Sequence, residues 1–338
     1  MGLERVDPES MDQLRAWHEV ADAVSTADVP DLPTDPFEEL VAAARTSRRA
    51  VREERWLLRD DAAPVGIARL SFTLLDNTDQ CGVLVAVHPA HRRKGHGRRL
   101  FEHVVELVRS EGRGHLLTEI AEPLVDGSTA PGPAFAGRVG ATRALDEIRR
   151  VLDLDGLDAA RLDALETEAR SRSGGYQTVQ WVGATPDDLV DEQAELMSRM
   201  SVDAPMGELD WEQEVWDAAR IREQEQLFAG QRRTRLVTAV RHEESGRLVA
   251  FTDIGVSQLQ PDPAYQWDTL VLRAHRGRRL GMLAKVANLR QLVREVPEAR
   301  RVVSWNAESN THMVAINDAL GFRPVDRLAE WVYEIERP

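Results

Sequence analysis

The sequence contains little cysteine, little lysine and no long apolar run. Cys81 is the only cysteine among 338 residues, which excludes an intrachain disulfide and any metal site built from several thiolates. Its setting in the apolar run CGVLVAV predicts a buried strand position. No stretch approaches the roughly 18 apolar residues of a membrane span, and the first residues lack the apolar core of a signal peptide. We therefore expect a soluble, cytoplasmic protein with no membrane partner.

Positive charge is also in the minority, with 43 Lys and Arg against 57 Asp and Glu and a formal net charge of −14. A nucleic-acid binder usually presents a net basic face, so this balance argues against nucleic acid as a partner. The length and the 42% hydrophobic content suffice for two domains with substantial cores. Two loops nevertheless concentrate basic side chains, and these loops need a local explanation.

An internal repeat relates the two halves of the chain. A shift of 184 positions superposes His91 on His275 and residues 63–70 on 247–254, each after a strand-like run. A period of this length indicates domain duplication rather than a solenoid. A charged segment that ends in a Ser/Gly cluster marks the boundary. We predict an N-terminal domain over 1–155, a linker over 156–175 and a C-terminal domain over 176–338.

Both halves follow one order of predicted elements: two helices, a two-strand meander, a central strand, a basic loop, a helix, a strand and a short helix. In the first half the elements lie at 10–24, 36–46, 54–59, 65–74, 82–88, 96–110, 115–121 and 134–141. In the second half they lie at 186–200, 208–229, 234–241, 247–256, 266–272, up to about 294, 300–307 and 310–320. This order predicts two α/β domains, each with a mixed sheet.

The basic loops each follow an apolar strand and lead into a helix. The first, residues 87–100, reads VHPAHRRKGHGRRL, and the second, residues 271–284, reads VLRAHRGRRLGMLA. A glycine-containing junction of this kind turns several backbone N–H groups and the positive end of the helix dipole toward one point, which favours an anion. The surrounding Arg and Lys side chains neutralise several phosphates. We therefore predict a polyphosphate site.

Three alternatives compete for the first loop: a solvated helix start, a nucleic-acid patch and a metal site. His88, His91 and His96 are potential ligands, but their neighbours are Arg and Lys, with no carboxylate or thiolate nearby. We therefore expect no metal. The acidic balance of the chain opposes the nucleic-acid patch, whereas spacing alone leaves the solvated helix start open.

The spacing Arg92-x-x-Gly95-x-Gly97 directly after an apolar strand resembles the R/Q-x-x-G-x-G/A signature of the GCN5-related N-acetyltransferases (GNATs). Residues 306–325, NAESNTHMVAINDALGFRPV, are similar to the terminal helix motif of that family. Because the order of elements occurs twice, the chain resembles the tandem, two-domain type found in actinobacteria. The resemblance implies the fold of the family, acetyl-CoA as acyl donor and no metal.

The resemblance assigns coenzyme contacts to both halves. In the first half the implied residues are Val85, Val87, Arg92, Arg93, Lys94, Gly95, His96, Gly97 and Arg98. In the second half they are Val271, Arg276, Gly277, Arg278, Arg279, Leu280, Gly281, Asn306 and Asn310. The loops differ because Arg279 stands where the first half has Gly95. The Arg279 side chain could narrow the backbone nest or reach the phosphates, and the sequence leaves both open.

Members of the family transfer the acyl group directly from CoA to an amine within a ternary complex. A free amine is mostly protonated at pH 7, so a base must remove a proton. A backbone N–H at a bulge of the central strand can stabilise the oxyanion. The candidate bases are Asp268 in the second half and Glu119 in the first, and a solvated strand-end acid is the alternative for each. His275 and His312 are further alternatives.

The terminal helix of the family often carries a Tyr that protonates the departing thiolate, and neither half has it. Asn317 takes its place in the second half and Ala136 in the first. An amide can donate a hydrogen bond but not a proton. The fuller terminal helix and Asp268 favour the second half as the catalytic one. The missing Tyr favours an alternative, a non-catalytic CoA-binding regulatory protein, and acetylation of protein lysines is a third reading.

Residues 207–228 precede the second sheet, where the resemblance implies acceptor recognition. Trp211, Trp216 and several acidic side chains in this segment can line a site for a cationic amine. The alternative is the packed face of a helix. We predict a small-molecule primary amine as acceptor, and a monomer or homodimer.

Overall fold

The computed structural model describes residues 2–124, 130–203 and 212–336. The chain divides into two compact units, of which unit 1 comprises Met1–Asp146 with Arg327–Pro338 and unit 2 comprises Glu147–Asp326. Each unit combines helices with a sheet that contains both parallel and antiparallel pairs. The predicted α/β class with mixed sheets is confirmed.

Unit 1 contains the predicted helices and strands in the predicted order, preceded by one strand, β1, that the prediction lacked. They are β1 (Gly2–Arg5), α1 (Met11–Asp28), α2 (Phe37–Arg45), β2 (Val51–Asp60), β3 (Ala63–Thr73), β4 (Gln80–Val87), α3 (His96–Ser110), β5 (His115–Pro123) and α4 (Pro131–Val139). Strands β1 to β4 pair antiparallel, whereas β4 and β5 pair in parallel. The parallel pair therefore marks the central crossover of the unit.

Unit 2 repeats this arrangement, and its first strand, β6, begins in unit 1 before Glu147. Its elements are β6 (Thr142–Asp153), α5 (Ala159–Arg172), β7 (Tyr176–Val182), α6 (Val190–Asp203), α7 (Ala218–Gly230), β8 (Arg233–His242), β9 (Leu248–Ser257), β10 (Ala264–Val271), α8 (Leu280–Glu295), β11 (Arg301–Ala307) and α9 (Thr311–Leu320). The strand order is β6-β11-β10-β9-β8-β7, with β10 and β11 parallel and the other neighbours antiparallel. Strand β10 corresponds to β4, and helix α8 corresponds to α3.

The last strand, β12 (Arg323–Glu334), begins in unit 2 and continues into unit 1 from Arg327 onward. In unit 1 it lies next to β5. Ile335 donates its backbone N–H to the carbonyl oxygen of Gly114 at 2.8 Å, and its side chain is buried in the core of unit 1. The N-terminal unit is therefore completed by residues from the far end of the sequence.

Helices cover both faces of each sheet. In unit 1, α3 packs on one face and α1 with α2 on the other. In unit 2, α5 and α8 pack on one face and α6 with α7 on the other. Cys81 is buried in β4 as predicted, and burial raises the pKa of its thiol to about 12. Among the residues that the structure describes, no helix is both long and apolar enough to cross a membrane.

The helix predicted over 208–229 is wrong over residues 212–217, because α7 begins at Ala218, and residues 208–211 lie outside the described residues. The Asp217 carboxylate accepts a hydrogen bond from the backbone N–H of Arg220 at 2.7 Å and caps the helix there. Residues 212–217 have no regular structure, and Trp211 lies outside the described residues.

Helix α5 occupies most of the segment 156–175. Its Leu162 and Ala169 side chains are buried in the core of unit 2. Asp158 caps the helix by accepting from the backbone N–H of Arg161. This segment therefore contributes packing to unit 2.

Candidate active sites

The central strands separate in both units. Strand β4 pairs with β5 only between residues 80–82 and 115–117, and β10 pairs with β11 only between 264–266 and 302–304. Beyond these residues each pair diverges and leaves an open edge toward the basic loop. A cleft of this kind exposes backbone donors that a regular sheet would use internally.

Backbone N–H groups line the open edges. The N–H of His88 donates to the carbonyl oxygen of Val65 at 3.0 Å, and that of Leu272 donates to Val249 at 2.9 Å, so both point away from the cleft. Successive N–H groups alternate in direction along a strand, so the preceding ones face the cleft. This reasoning puts the N–H groups of three predicted coenzyme contacts on the open edges: Val85, Val87 and Val271.

The two loops share one backbone conformation although their glycines stand at different places. Each loop has two residues with positive φ: Arg93 (64°) and Gly95 (87°) in unit 1, and Gly277 (80°) and Arg279 (59°) in unit 2. The second member of each pair precedes the first residue of α3 or α8. The left-handed conformation costs a non-glycine residue roughly 1–2 kcal/mol. Both loops therefore keep the shape that turns helix N–H groups toward an anion.

Arg92 holds the first loop in place. Its Nε donates to the carbonyl oxygen of Val87 at 3.1 Å. Its two terminal nitrogens donate to the Asp28 carboxylate, at the end of α1, at 2.9 and 2.7 Å. The guanidinium is therefore committed to the loop, and the backbone N–H groups are left for phosphates.

Arg276 holds the second loop in a similar way. Its Nε donates to the carbonyl oxygen of Val271 at 3.0 Å, and its Nη2 lies 3.5 Å from the Asp203 carboxylate at the end of α6. Arg273 pairs with the other oxygen of Asp203 at 2.6 Å. The same connection between a loop arginine, a strand end and a helix end thus occurs in both units.

The other predicted loop contacts differ in exposure. The side chains of Lys94, Arg98 and Arg278 are exposed, whereas those of His96 and Leu280 are buried. Arg98 donates to Glu102 at 2.7 Å, and Arg279 donates to Glu168 of α5 at 2.6 Å. Side chains of His96 and Leu280 therefore support the helix, and these residues can offer an anion only their backbone.

Gly97 and Gly281 stand in the first turns of α3 and α8. A Cβ on Gly97 would lie 3.5 Å from the ring of Phe135, and one on Gly281 would lie 3.4 Å from Cδ1 of Ile316. Phe135 belongs to α4 and Ile316 to α9. The loop, the open strand edge and the terminal helix therefore meet at these glycines in each unit.

Strand β10 carries a bulge that β4 lacks. Its register with β9 shifts between Gln266 and Thr269, so that Trp267 and Asp268 together stand opposite one residue, Asp253. Strand β4 keeps a single register with β3 along the whole pair. A bulge bends a strand and re-aims its side chains. The bulge that the predicted oxyanion site requires is therefore present in the central strand of unit 2 and absent from that of unit 1.

Asp268 sits on this bulge and remains partly accessible to solvent. Burial and then the negative charges of Asp253 and Glu214 raise the pKa of its carboxyl to about 7, and the positive charge of Arg235 opposes the shift. A carboxylate with a pKa near 7 is well matched to removing a proton at neutral pH. In unit 1, Leu84 occupies the equivalent position.

Glu119, the candidate of unit 1, has different neighbours. The residue is exposed to solvent, yet burial of its carboxyl raises the pKa of that group. The positive charge of Arg69 opposes this shift. Glu330 on β12 has a pKa raised to about 7, first by burial and then by the charge of Glu119. The structure thus pairs Glu119 with a second carboxylate on the strand from the far end of the chain.

Asn306 and Asn317 join in a buried network. Asn317 Nδ2 donates to Asn306 Oδ1 at 3.0 Å, and the same oxygen accepts from Arg150 at 3.2 Å. Asn310 has a structural task, because its side chain accepts from the backbone N–H of Met313 at 3.2 Å and caps α9. These amides fix the terminal helix against β11, and an amide supplies no proton.

The two alternative bases, His275 and His312, are not on strand β10. The Nδ1 atom of His275 is 2.9 Å from the hydroxyl of Tyr176, and burial with the nearby His242 and Arg278 lowers the pKa of His275. His312 is exposed at the start of α9. Among the described residues, no group of three or more His, Cys, Asp or Glu is arranged to hold a metal ion.

Trp216 takes part in local packing. Its Nε1 donates to Glu214 at 2.8 Å, and the guanidinium of Arg220 lies 4.3 Å from the centre of its ring. Its side chain also packs against the core under α6 and α7. Trp216 therefore packs locally, but it precedes α7, so it does not form the helix face of the alternative reading.

Sequence reasoning missed the residues that build the bulge, above all Asp253 and Gly255. In the aligned repeat Asp253 corresponds to Arg69 and Gly255 to Ser71. The signal was present in this difference between the halves. It becomes interpretable only when the bulge opposite these residues is known.

Comparison with known proteins adds independent information. The acetyltransferase (GNAT) family model matches residues 15–126. A solved tandem GNAT protein from the clavulanic acid biosynthesis pathway, without AcCoA, is 31% identical over 100% of this chain and 99% of its own, with a TM-score of 0.79. A GCN5-related N-acetyltransferase from Sphaerobacter thermophilus has the same fold at 16% identity, with a TM-score of 0.67 and coverage of 100% and 96%. A search among curated proteins found no match.

Proposed function

Since this chain belongs to the GCN5-related N-acetyltransferase family, in its tandem form, we propose that it transfers an acetyl group from acetyl-CoA to the primary amine of a small molecule, with unit 2 as the catalytic unit. One observation carries the assignment to unit 2. The bulged β10 places Asp268, with its pKa near 7, on the strand that borders the open edge. Unit 1 has neither the bulge nor a carboxylate at that position.

The residues of both units fit a coenzyme with a pyrophosphate group. The positive-φ residues Gly95 and Arg279 turn the start of α3 and α8 toward one point, and the first N–H groups of a helix have no partner within it. Exposed cations stand around these points, among them Lys94, Arg98 and Arg278. Acetyl-CoA supplies the activated acyl group, and we infer that unit 1 binds a coenzyme molecule without transferring its acyl group.

The proposed reaction is a direct transfer. Asp268 accepts a proton from the ammonium form of the acceptor, and the resulting amine attacks the thioester carbonyl carbon. The N–H groups of Thr269 and Val271 on the open edge hydrogen-bond the oxygen that gains negative charge. The C–S bond then breaks, the electron pair leaves with the CoA sulfur, and the attacking nitrogen loses its second proton to water as the amide forms. Water protonates this thiolate, because Asn317 has no proton to give.

The charge around Asp268 supports a cationic acceptor. Asp253 and Glu214 add negative charge near Asp268, and Arg235 compensates only part of it. Opposite charge raises the local concentration of a ligand in a cleft. A protonated amine therefore enters a favourable field and meets the base there.

A non-catalytic CoA-binding protein is the alternative that one observation favours, since Asn317 is buried and bonded to Asn306 in place of a proton-donating Tyr. Turnover separates the two functions. Release of free thiol from acetyl-CoA across a panel of small amines supports the transferase. Tight CoA binding supports the alternative if no amine causes thiol release and if intact-mass screening finds no acetylated candidate protein.

Matched glycine variants test the assignment to unit 2. Gly281→Glu puts a carboxylate into the phosphate site of unit 2, and Gly97→Glu does the same in unit 1. We expect Gly281→Glu to abolish thiol release. Gly97→Glu should leave thiol release unchanged and reduce the number of bound coenzyme molecules from two to one, as measured by calorimetry. The reverse pattern would assign catalysis to unit 1.

A further inference from the structure

Asp253 contacts the bulge directly. Its Oδ1 accepts the backbone N–H of Asp268 at 2.9 Å, and its Oδ2 accepts from Nε of Arg235 at 2.7 Å. Asp253 and Arg235 are both almost fully buried, at 1% and 4% exposure. Because a buried charge is costly unless it is paired, the two ions depend on each other in this position.

Other contacts close the bulge on its remaining sides. The hydroxyl of Thr252 donates to the carbonyl oxygen of Asp268 at 3.1 Å, and Nε2 of Gln266 donates to the carbonyl oxygen of Asp253 at 2.6 Å. The ring of Trp267 stacks on Phe228 with centroids 4.7 Å apart. Within this set, Asp253 is the residue that holds the amide of Asp268.

Unit 1 shows what the strand does without this residue. Arg69 stands at the position of Asp253, and β4 runs past it in an unbroken register with Leu84 opposite. An arginine cannot accept an N–H, so the extra residue of a bulge would leave a backbone donor without a partner there. The bulge and Asp253 thus occur together in one unit and are absent together from the other.

We propose that Asp253 is a positioning residue for the transfer reaction: paired with Arg235, it fixes the backbone amide of Asp268 and thereby the direction of the Asp268 carboxylate. The proposal rests on the assignment of Asp268 as the base. It adds a residue pair that touches neither substrate nor reacting atoms.

Three charged groups act on Asp268 from the elements around it. Asp253 on β9 raises the pKa of Asp268, Arg235 on β8 lowers it and Glu214 before α7 raises it. Removal of each charge should therefore shift the pKa of Asp268 in a defined direction. A purely structural role for Asp253 predicts loss of activity without these opposite shifts.

The experiment measures the pKa of Asp268 in two ways. The first is carboxyl-carbon NMR on the full chain, with the Asp268 resonance assigned through Asp268→Asn. The second is the pH profile of kcat/KM for the best amine. The variants are Asp253→Asn, which keeps an acceptor oxygen for the amide, Arg235→Gln, and Glu214→Gln, which keeps the acceptor for Trp216.

We expect Asp253→Asn to move the pKa of Asp268 from about 7 down toward the ordinary carboxyl value near 4, with a several-fold loss of kcat and little change in KM. Glu214→Gln should cause a smaller downward shift, and Arg235→Gln an upward one. The double variant Asp253→Asn/Arg235→Gln leaves no lone buried charge, so it tests the proposal if either single variant fails to fold. It should shift the pKa downward less than Asp253→Asn does.

The proposal would be overturned if the pKa of Asp268, measured from its NMR resonance, stayed unchanged in Asp253→Asn and in the double variant. Shifts of the same sign in Asp253→Asn and Arg235→Gln would do so as well. Absence of turnover on every amine, together with the expected NMR shifts, would instead refute the proposed function and leave Asp253 as the residue that sets the state of Asp268.

Discussion

The ring of Trp267 lies where a side chain on Gly255 would begin: a Cβ added to Gly255 would be 2.0 Å from the indole. No ordinary contact is that short, so glycine is required for the bulged tryptophan to pack against β9. The equivalent residue of unit 1 is Ser71, opposite an unbulged strand. The absence of a side chain at Gly255 is thus one of the differences that accompany the bulge of β10.

The first prediction concerns this contact. Gly255→Ala should lower the free energy of unfolding by about 3 kcal/mol, because overpacking displaces Trp267. It should also reduce kcat strongly, since the bulge moves with the indole. Urea unfolding and thiol-release assays measure the two effects. Gly82→Ala in β4 is the control, because a Cβ there meets its nearest neighbour at an ordinary 3.5 Å.

The second prediction concerns the base. Asp268→Asn should lower kcat by about 10²–10⁴-fold, the usual contribution of a general base. The acid limb of the pH profile of kcat/KM, with a midpoint near 7 in the wild type, should disappear. A variant profile with the wild-type limb and full activity would assign proton removal to another group.

Asp268 also affects stability, and the sign follows from its raised pKa. Between about pH 4 and pH 7 the folded state binds the Asp268 proton more tightly than the unfolded state, so stability falls as pH rises through this window. Asp268→Asn should therefore raise the free energy of unfolding at pH 8, on the order of 2 kcal/mol, and change it little at pH 4. Denaturant titrations at both pH values test this, and an equal effect at both would contradict it.

The fourth prediction concerns Lys285, which is buried on α8 with its ammonium 5.5 Å from the centre of the Phe322 ring. Burial lowers its pKa to about 7. The unfolded state holds the proton more tightly between about pH 7 and 10.5, so the destabilisation is complete below pH 7 and fades as pH rises. Lys285→Met should therefore stabilise the protein by roughly 2 kcal/mol at pH 6 and by less at pH 10.

The fifth prediction compares the two loop connections. Asp203→Asn weakens the ion pairs with Arg273 and Arg276 and should raise KM for acetyl-CoA about fivefold, the effect of ~1 kcal/mol. Asp28→Asn removes the matching pair with Arg92 in unit 1. It should leave KM unchanged and weaken only the coenzyme site that does not turn over.

Much of the fold follows from local patterns. The repeat at 184 positions, the basic loops and the helices that follow them depend on residues close together in sequence, and the structure contains them. The start of α7 was missed because the carboxylate of Asp217 caps the N-terminus of the helix, which therefore begins later than hydrophobic spacing indicates.

The remaining features depend on distant residues. The bulge requires glycine at position 255, because the ring of Trp267 packs where a side chain would begin, and the pair of Glu119 and Glu330 forms only when the last strand lies next to β5. Neither relationship has a local signature, since strand neighbours are chosen by packing over the whole unit. For the same reason the sequence named Asp268 as a candidate base but not Asp253, its partner.

Strand β12 has a consequence for the order of folding during synthesis. Residues 2–124 are synthesised before unit 2, yet unit 1 also needs Arg327 and the residues after it, including buried Ile335. The nascent first unit therefore waits, with one side of β5 uncovered, while all of unit 2 is made. An exposed strand edge invites pairing with other chains. Slower translation of the second half of the chain should therefore increase aggregation of the nascent protein.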